Sequence, residues 1–168
     1  MSTVYYRDCD DEKRSSVVST VYICGSPPSR DPGAILHWRI FLALPKRSSI
    51  RFDMTPGSDS ITGLLMVTGH QYHTSQSSTR IVVVDAARSD TTADQFISVL
   101  LELQRDKYRY DGSGSGCRYW CTVALKDWER AGLLPAGSHE KLAQSFVDIN
   151  KENPAQVPMP IREGIFYA

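Results

Sequence analysis

An α+β fold is predicted, with an antiparallel sheet of about five or six strands and two to three helices packed at one side. Three observations predict it. Five β-rich segments crowd into the first half of the chain between turn-forming clusters. The apolar period changes to helical spacing after Thr92. A length of 168 residues suits a single domain with a real core.

In chain order, residues 1–14 gather Asp8, Asp10, Asp11, Glu12, Lys13 and Arg14, a polar and charged run expected to be a flexible N-terminus ahead of one α+β domain over residues 15–168. Strands are expected at Val17–Cys24, Ala34–Leu44, Ser49–Met54, Gly63–Thr68 and Arg80–Asp85. Between them lie Ser26-Pro27-Pro28, Asp31-Pro32-Gly33 and Pro56-Gly57-Ser58-Asp59, and spacing this close suggests an antiparallel meander.

Thr92-Ala93-Asp94-Gln95 has the form of a capping box and opens a helix to about Arg105, with Phe96, Val99, Leu100 and Leu103 as its apolar positions. A second helix begins near Cys117 and places Trp120, Cys121, Ala124, Trp128 and Ala131 on one stripe before Gly132 ends it. A third covers Glu140–Lys151, with Leu142, Phe146 and Ile149 facing inward. The tail from Pro154 to Ala168 ends in Ile165-Phe166-Tyr167, apolar enough to dock on the body.

Composition narrows the function classes. Nineteen basic and nineteen acidic residues cancel, which removes the global field that nucleic-acid binding uses. No apolar run approaches the ~20 residues of a membrane-spanning helix. Cys9, Cys24, Cys117 and Cys121 make no disulfide framework, and the start lacks a signal-peptide core, so a reduced, cytoplasmic setting is expected. Oligomeric state is not legible.

Candidate chemistry centres on Cys117. The loop Asp111-Gly112-Ser113-Gly114-Ser115-Gly116 delivers it to the first turn of a helix, where unpaired amides and the helix dipole favour thiolate and can hold an oxyanion. The plainer alternative is a small buried residue at a helix start. Strand alternation puts Leu36, Trp38, Ile40, Leu42 and Leu44 on an apolar face, and His37 and Arg39 on the other. In the next strand Arg51 and Asp53 alternate with Ile50, Phe52 and Met54, so pairing can bring His37 and Asp53 onto one face. Cys117 as nucleophile, His37 as base and Asp53 as its orienting carboxylate suit acyl transfer, with the Gly116 and Cys117 amides as oxyanion donors. A solvated face of ordinary ion pairs is the alternative.

Arg39, Arg51 and Arg118 are candidate binders of a substrate carboxylate or phosphate, and Tyr110 and Trp120, with Tyr108, Tyr119 and Trp128, could line a hydrophobic pocket or pack the core. Cys117 and Cys121 with His70 and His73 can be drawn as zinc ligands, but neither pair has a structural-zinc spacing, so no metal is expected. The glycine-rich loop lacks the Lys-Ser/Thr ending of a nucleotide-binding P-loop. His139 beside Ser138 and Glu140 is explained by capping.

The segments Asp106–Asp111, Gly116-Cys117-Arg118-Tyr119-Trp120, His37-Trp38 and Ser49–Met54 resemble an uncharacterised family of small fungal proteins across most of residues 16–134, with Gly-Cys-Arg-Tyr-Trp as the most specific element. More distantly, a His-Trp strand, a polar residue on the next strand and a later cysteine opening a helix are similar to circularly permuted papain-like folds of the NlpC-like and lecithin:retinol acyltransferase classes. That resemblance implies a cofactor-free cysteine hydrolase or acyltransferase acting on a small-molecule amide or ester, with Cys117, His37 and Asp53 in the matching roles. Two alternatives use the same residues: a fungal secondary-metabolite cyclase or isomerase working by proton transfer, and a non-catalytic binding module.

Overall fold

The computed structural model describes residues 2–113 and 115–168, so Gly114 of the predicted glycine/serine loop lies outside the described residues. Its elements are β1 (Val4–Arg7), α1 (Asp11–Ser15), β2 (Thr20–Ser26), β3 (His37–Ala43), β4 (Ser49–Pro56), β5 (Gly63–His70), β6 (Arg80–Asp85), α2 (Ala93–Glu102), β7 (Tyr108–Arg109), α3 (Cys117–Arg130), α4 (Ser138–Glu152) and β8 (Ile165–Phe166). The fold is α+β, with a six-stranded sheet ordered β1-β5-β4-β3-β2-β6 and a two-stranded ribbon of β7 and β8.

Hydrophobic alternation sets the register. Val21, Ile23, Trp38, Ile40, Leu42, Ile50, Phe52, Met54, Leu65 and Val67 point to one face and join the buried core with the inner sides of α2, α3 and α4. Trp128 of α3 lies between Phe52 and Phe96 with ring centroids 5.6 and 5.1 Å away, and Trp38 meets Phe146 of α4 edge-on at 4.8 Å. The α2 capping box forms as expected. That helix ends at Glu102 rather than Arg105 because Gln104 turns to φ +57, which leaves Leu103 exposed; Ala131, beyond the last turn of α3, is exposed as well.

Two expectations about the sheet are corrected. It is mixed rather than wholly antiparallel: the charged start does not fray but supplies β1, which pairs in parallel with β5, Val4 opposite Leu65. Within the run Asp10 caps α1 by accepting from the Lys13 amide, and contacts beyond it hold the segment: Arg14 binds Asp94 of α2, and Thr3 donates to Asp106 at 2.5 Å. The meander also breaks after β5, because β6 pairs with β2 instead. Residues 71–79 make that return across the second face, where Tyr72 packs on Phe41 and His73 stacks on Tyr22 at 6.3 Å, covering the apolar members of an otherwise polar surface.

The tail docks as its apolar end suggested. Phe166 packs on Tyr108 at 4.8 Å, and the guanidinium of Arg105 lies 4.8 Å over the Phe166 ring. Among the described residues, no helix is long and apolar enough to cross a membrane.

Candidate active site

His37 opens β3 and Asp53 lies on β4. Register pairs Ile40 with Phe52, which sets Arg39 opposite Asp53 and leaves His37 on the diagonal of the same face. His37 Nε2 is 2.7 Å from Asp53 Oδ1. Arg39 Nε lies 3.2 Å from Asp53 Oδ2 as a charge contact without hydrogen-bond alignment, and Arg51 Nη2 lies 4.0 Å away. Burial opposes the ionised carboxyl, but the hydrogen bond and charge of His37, then Arg39 and Arg51, hold Asp53 below the ordinary carboxylate range. Arg39 and Arg51 thus serve the carboxylate and do not line the cavity beside Cys117.

Cys117 arrives from the other layer. Gly116, the residue before α3, has φ +149, and no side chain among the described residues caps the first α3 amides. A Cβ there would lie 2.9 Å from Tyr108 Oη and 3.1 Å from Tyr110 Cδ1, so glycine is required on both conformational and steric grounds. Tyr108 Oη donates to the Gly116 carbonyl at 2.8 Å and accepts from Gly164 N at 2.9 Å, while Tyr110 Oη donates to the Met54 carbonyl at 2.5 Å. These two buried tyrosines fix the start of α3 against the sheet. Trp120 is 1% exposed and donates through Nε1 to the Arg105 carbonyl, so it packs the core instead of lining a pocket.

His37 and Cys117 meet at this junction. Burial pulls the imidazole down, but the hydrogen bond it donates to Asp53, the interaction with Cys117 and the charges of both carry the His37 pKa up to about 9. Burial pushes the thiol up; the hydrogen bond and charge of His37, followed by the Trp38 amide and Arg118, overcome it and hold Cys117 below the ordinary thiol range. The other three cysteines move the opposite way: burial raises Cys9, Cys121 and Cys24, the last to about 11.

A cavity of about 300 Å³ opens at the pair, lined by Pro28, Ile35, Leu36, His37, Ser113, Ser115, Gly116, Cys117 and Arg118. Arg118 is 5% exposed and donates from Nη1 to the Pro158 carbonyl at 2.8 Å. The tail also accepts from Leu36 N at Gln156 O, 3.0 Å, which ties down the residue before His37. Of the residues expected at the site, Cys117, His37, Asp53, Gly116 and Arg118 come together, with Tyr110 behind them. Sequence reasoning missed the apolar wall of Pro28, Ile35 and Leu36 and the Trp38 amide; the Ile35-Leu36 pair directly before His37 was the available signal.

His70 lies beside Asp8 and Asp10, and His73 stacks on Tyr22, so neither joins Cys117 and Cys121. His70 pairs with Ser49 at the end of β4 remote from Asp53, and no group of three or more His, Cys, Asp or Glu among the described residues is arranged to hold a metal ion.

Residues 21–167 match the family described as a domain of unknown function (DUF7770), and the chain belongs to that family. No curated protein and no solved structure matches the chain.

Proposed function

We propose that this member of the DUF7770 family is a cysteine-dependent acyl-transfer enzyme, a hydrolase or acyltransferase acting on a small amide or ester. The observation that carries the reading is the opening of one cavity onto both Cys117 and His37 while Asp53 holds the far side of the same imidazole. A nucleophile, a base and an orienting carboxylate in that order suit a relay for acyl chemistry. The order His37, Asp53, Cys117 along the chain is also similar to that of circularly permuted papain-like enzymes.

In this mechanism the Cys117 thiolate attacks the substrate carbonyl carbon, forming a C–S bond and moving the carbonyl electron pair onto oxygen. The amides at the start of α3 receive that oxyanion. Collapse of the intermediate breaks the bond to the amine or alcohol, which leaves with the proton held by His37. Neutral His37 then takes a proton from water or an acceptor nucleophile, whose attack on the thioester releases the product and restores the ion pair. Asp53 keeps the ring oriented throughout. The reaction as drawn needs no cofactor.

An activated ester such as 4-nitrophenyl acetate tests this reading by intact-mass spectrometry. Acetylation confined to Cys117, absent from Cys117→Ala and slowed in His37→Ala, is the expected result. Acetylation spread over other cysteines, or unaffected by loss of His37, would overturn it.

A further inference from the structure

Arg118 directly follows the nucleophile of the proposed reaction, and its guanidinium is an unusual buried charge. The side chain is 5% exposed and lines the same cavity as Cys117. Its one protein hydrogen bond among the described residues runs from Nη1 to the Pro158 carbonyl. No carboxylate among the described residues lies within ion-pair distance of it, whereas Arg39, Arg51 and His37 all share Asp53. Its charge faces the Cys117 sulfur, but a buried guanidinium with no hydrogen-bonded carboxylate is costly, and an incoming carboxylate would complete the pair. The remaining Nε and Nη2 donors make the flat edge that accepts the two oxygens of a carboxylate. Elsewhere the cavity wall is apolar at Pro28, Ile35 and Leu36 or carries the hydroxyls of Ser113 and Ser115, and the imidazole of His37 is already engaged by Asp53, so Arg118 is the cation available to orient a substrate.

We propose that Arg118 is the specificity-determining residue of this site and selects acyl substrates that carry a carboxylate close to the carbonyl under attack. This rests on the reading of Cys117 as nucleophile.

The test compares two electrophiles of nearly equal size, iodoacetate and iodoacetamide, on the same sulfur at constant ionic strength. The ratio of their rates at Cys117 cancels the reactivity of the thiolate itself. In the wild type that ratio exceeds the ratio measured on glutathione, and Arg118→Gln lowers it about tenfold, the scale of one charge-assisted hydrogen-bonded contact. Arg118→Lys keeps part of the preference. An identical ratio in wild type and Arg118→Gln overturns the proposal and assigns Arg118 to anchoring Pro158. Failure of the nucleophile reading shows separately, as iodoacetamide labelling of Cys117 no faster than that of an ordinary thiol. If Arg118→Gln does not fold, the wild type decides: succinate slows iodoacetamide labelling of Cys117 while succinamide does not, and equal protection by both, or by neither, overturns the proposal.

Discussion

His37 Nε2 and Asp53 Oδ1 stand 2.7 Å apart on neighbouring strands, a diagonal contact fixed by the β3–β4 register rather than by any loop. Removing the carboxylate charge should therefore change the imidazole without moving it. Asp53→Asn is expected to bring the His37 pKa from about 9 back toward the ordinary value of about 6.5, read from the pH dependence of its ring C–H resonances by NMR. An unchanged titration in that variant would detach Asp53 from the site.

The same pair sets a pH dependence of stability. In a Cys117→Ala background, which removes the coupled thiol, the raised His37 pKa contributes stability that is complete below about 6.5 and lost as pH rises through the folded value. The depressed Asp53 pKa contributes stability that is present above about 3.9 and lost as pH falls through its lower folded value. Denaturant midpoints across that range should form a plateau with two falling arms, and Asp53→Asn should flatten both.

Gly116→Ala probes the launch of α3. The added methyl meets Tyr108 Oη and Tyr110 Cδ1 at a backbone φ of +149, so a loss of about 1–3 kcal/mol is expected from chemical denaturation. Thiol reactivity at Cys117 should fall with it, because the strained turn is what aims the sulfur at His37.

Away from the site, Arg105 grips Asp127 through Nε at 2.6 Å and Nη2 at 3.2 Å. Asp127 is 3% exposed, and Asp127→Ala strands the partly buried guanidinium. A loss of about 2–4 kcal/mol is expected, with Cys117 labelling intact in the folded fraction. Loss of labelling in the folded fraction would show that the α3 frame and the site are coupled more tightly than their separation suggests.

Much of this architecture is legible in the chain because alternation and helical period are local signals. Leu36, Trp38, Ile40 and Leu42 announce the buried face of β3, which places His37 and Asp53 together on the other. Parallel β1 escapes such reading: Val4-Tyr5-Tyr6-Arg7 is short and charge-flanked, and its partner β5 is remote in sequence. The return of β6 to β2 depends on Tyr72 and His73 finding Phe41 and Tyr22, a non-local fit. Aromatic identity likewise does not separate a pocket wall from a core, which is why Trp120 and Tyr110, both candidate binders, prove to be packing and buttressing groups. The cavity itself was hidden because Pro28, Ile35 and Leu36 meet Ser113, Ser115 and Cys117 only in the fold, across a long separation in sequence.

If His37 holds Cys117 as a thiolate where the other cysteines stay protonated, reactivity at low pH separates them. Iodoacetamide labelling at pH 6, mapped by peptide mass spectrometry, then gives rapid modification of Cys117 alone, with Cys9, Cys24 and Cys121 untouched on that timescale and the selectivity lost in His37→Ala. Labelling that follows exposure, with partly exposed Cys9 ahead of Cys117 and no response to His37→Ala, would contradict that role of His37.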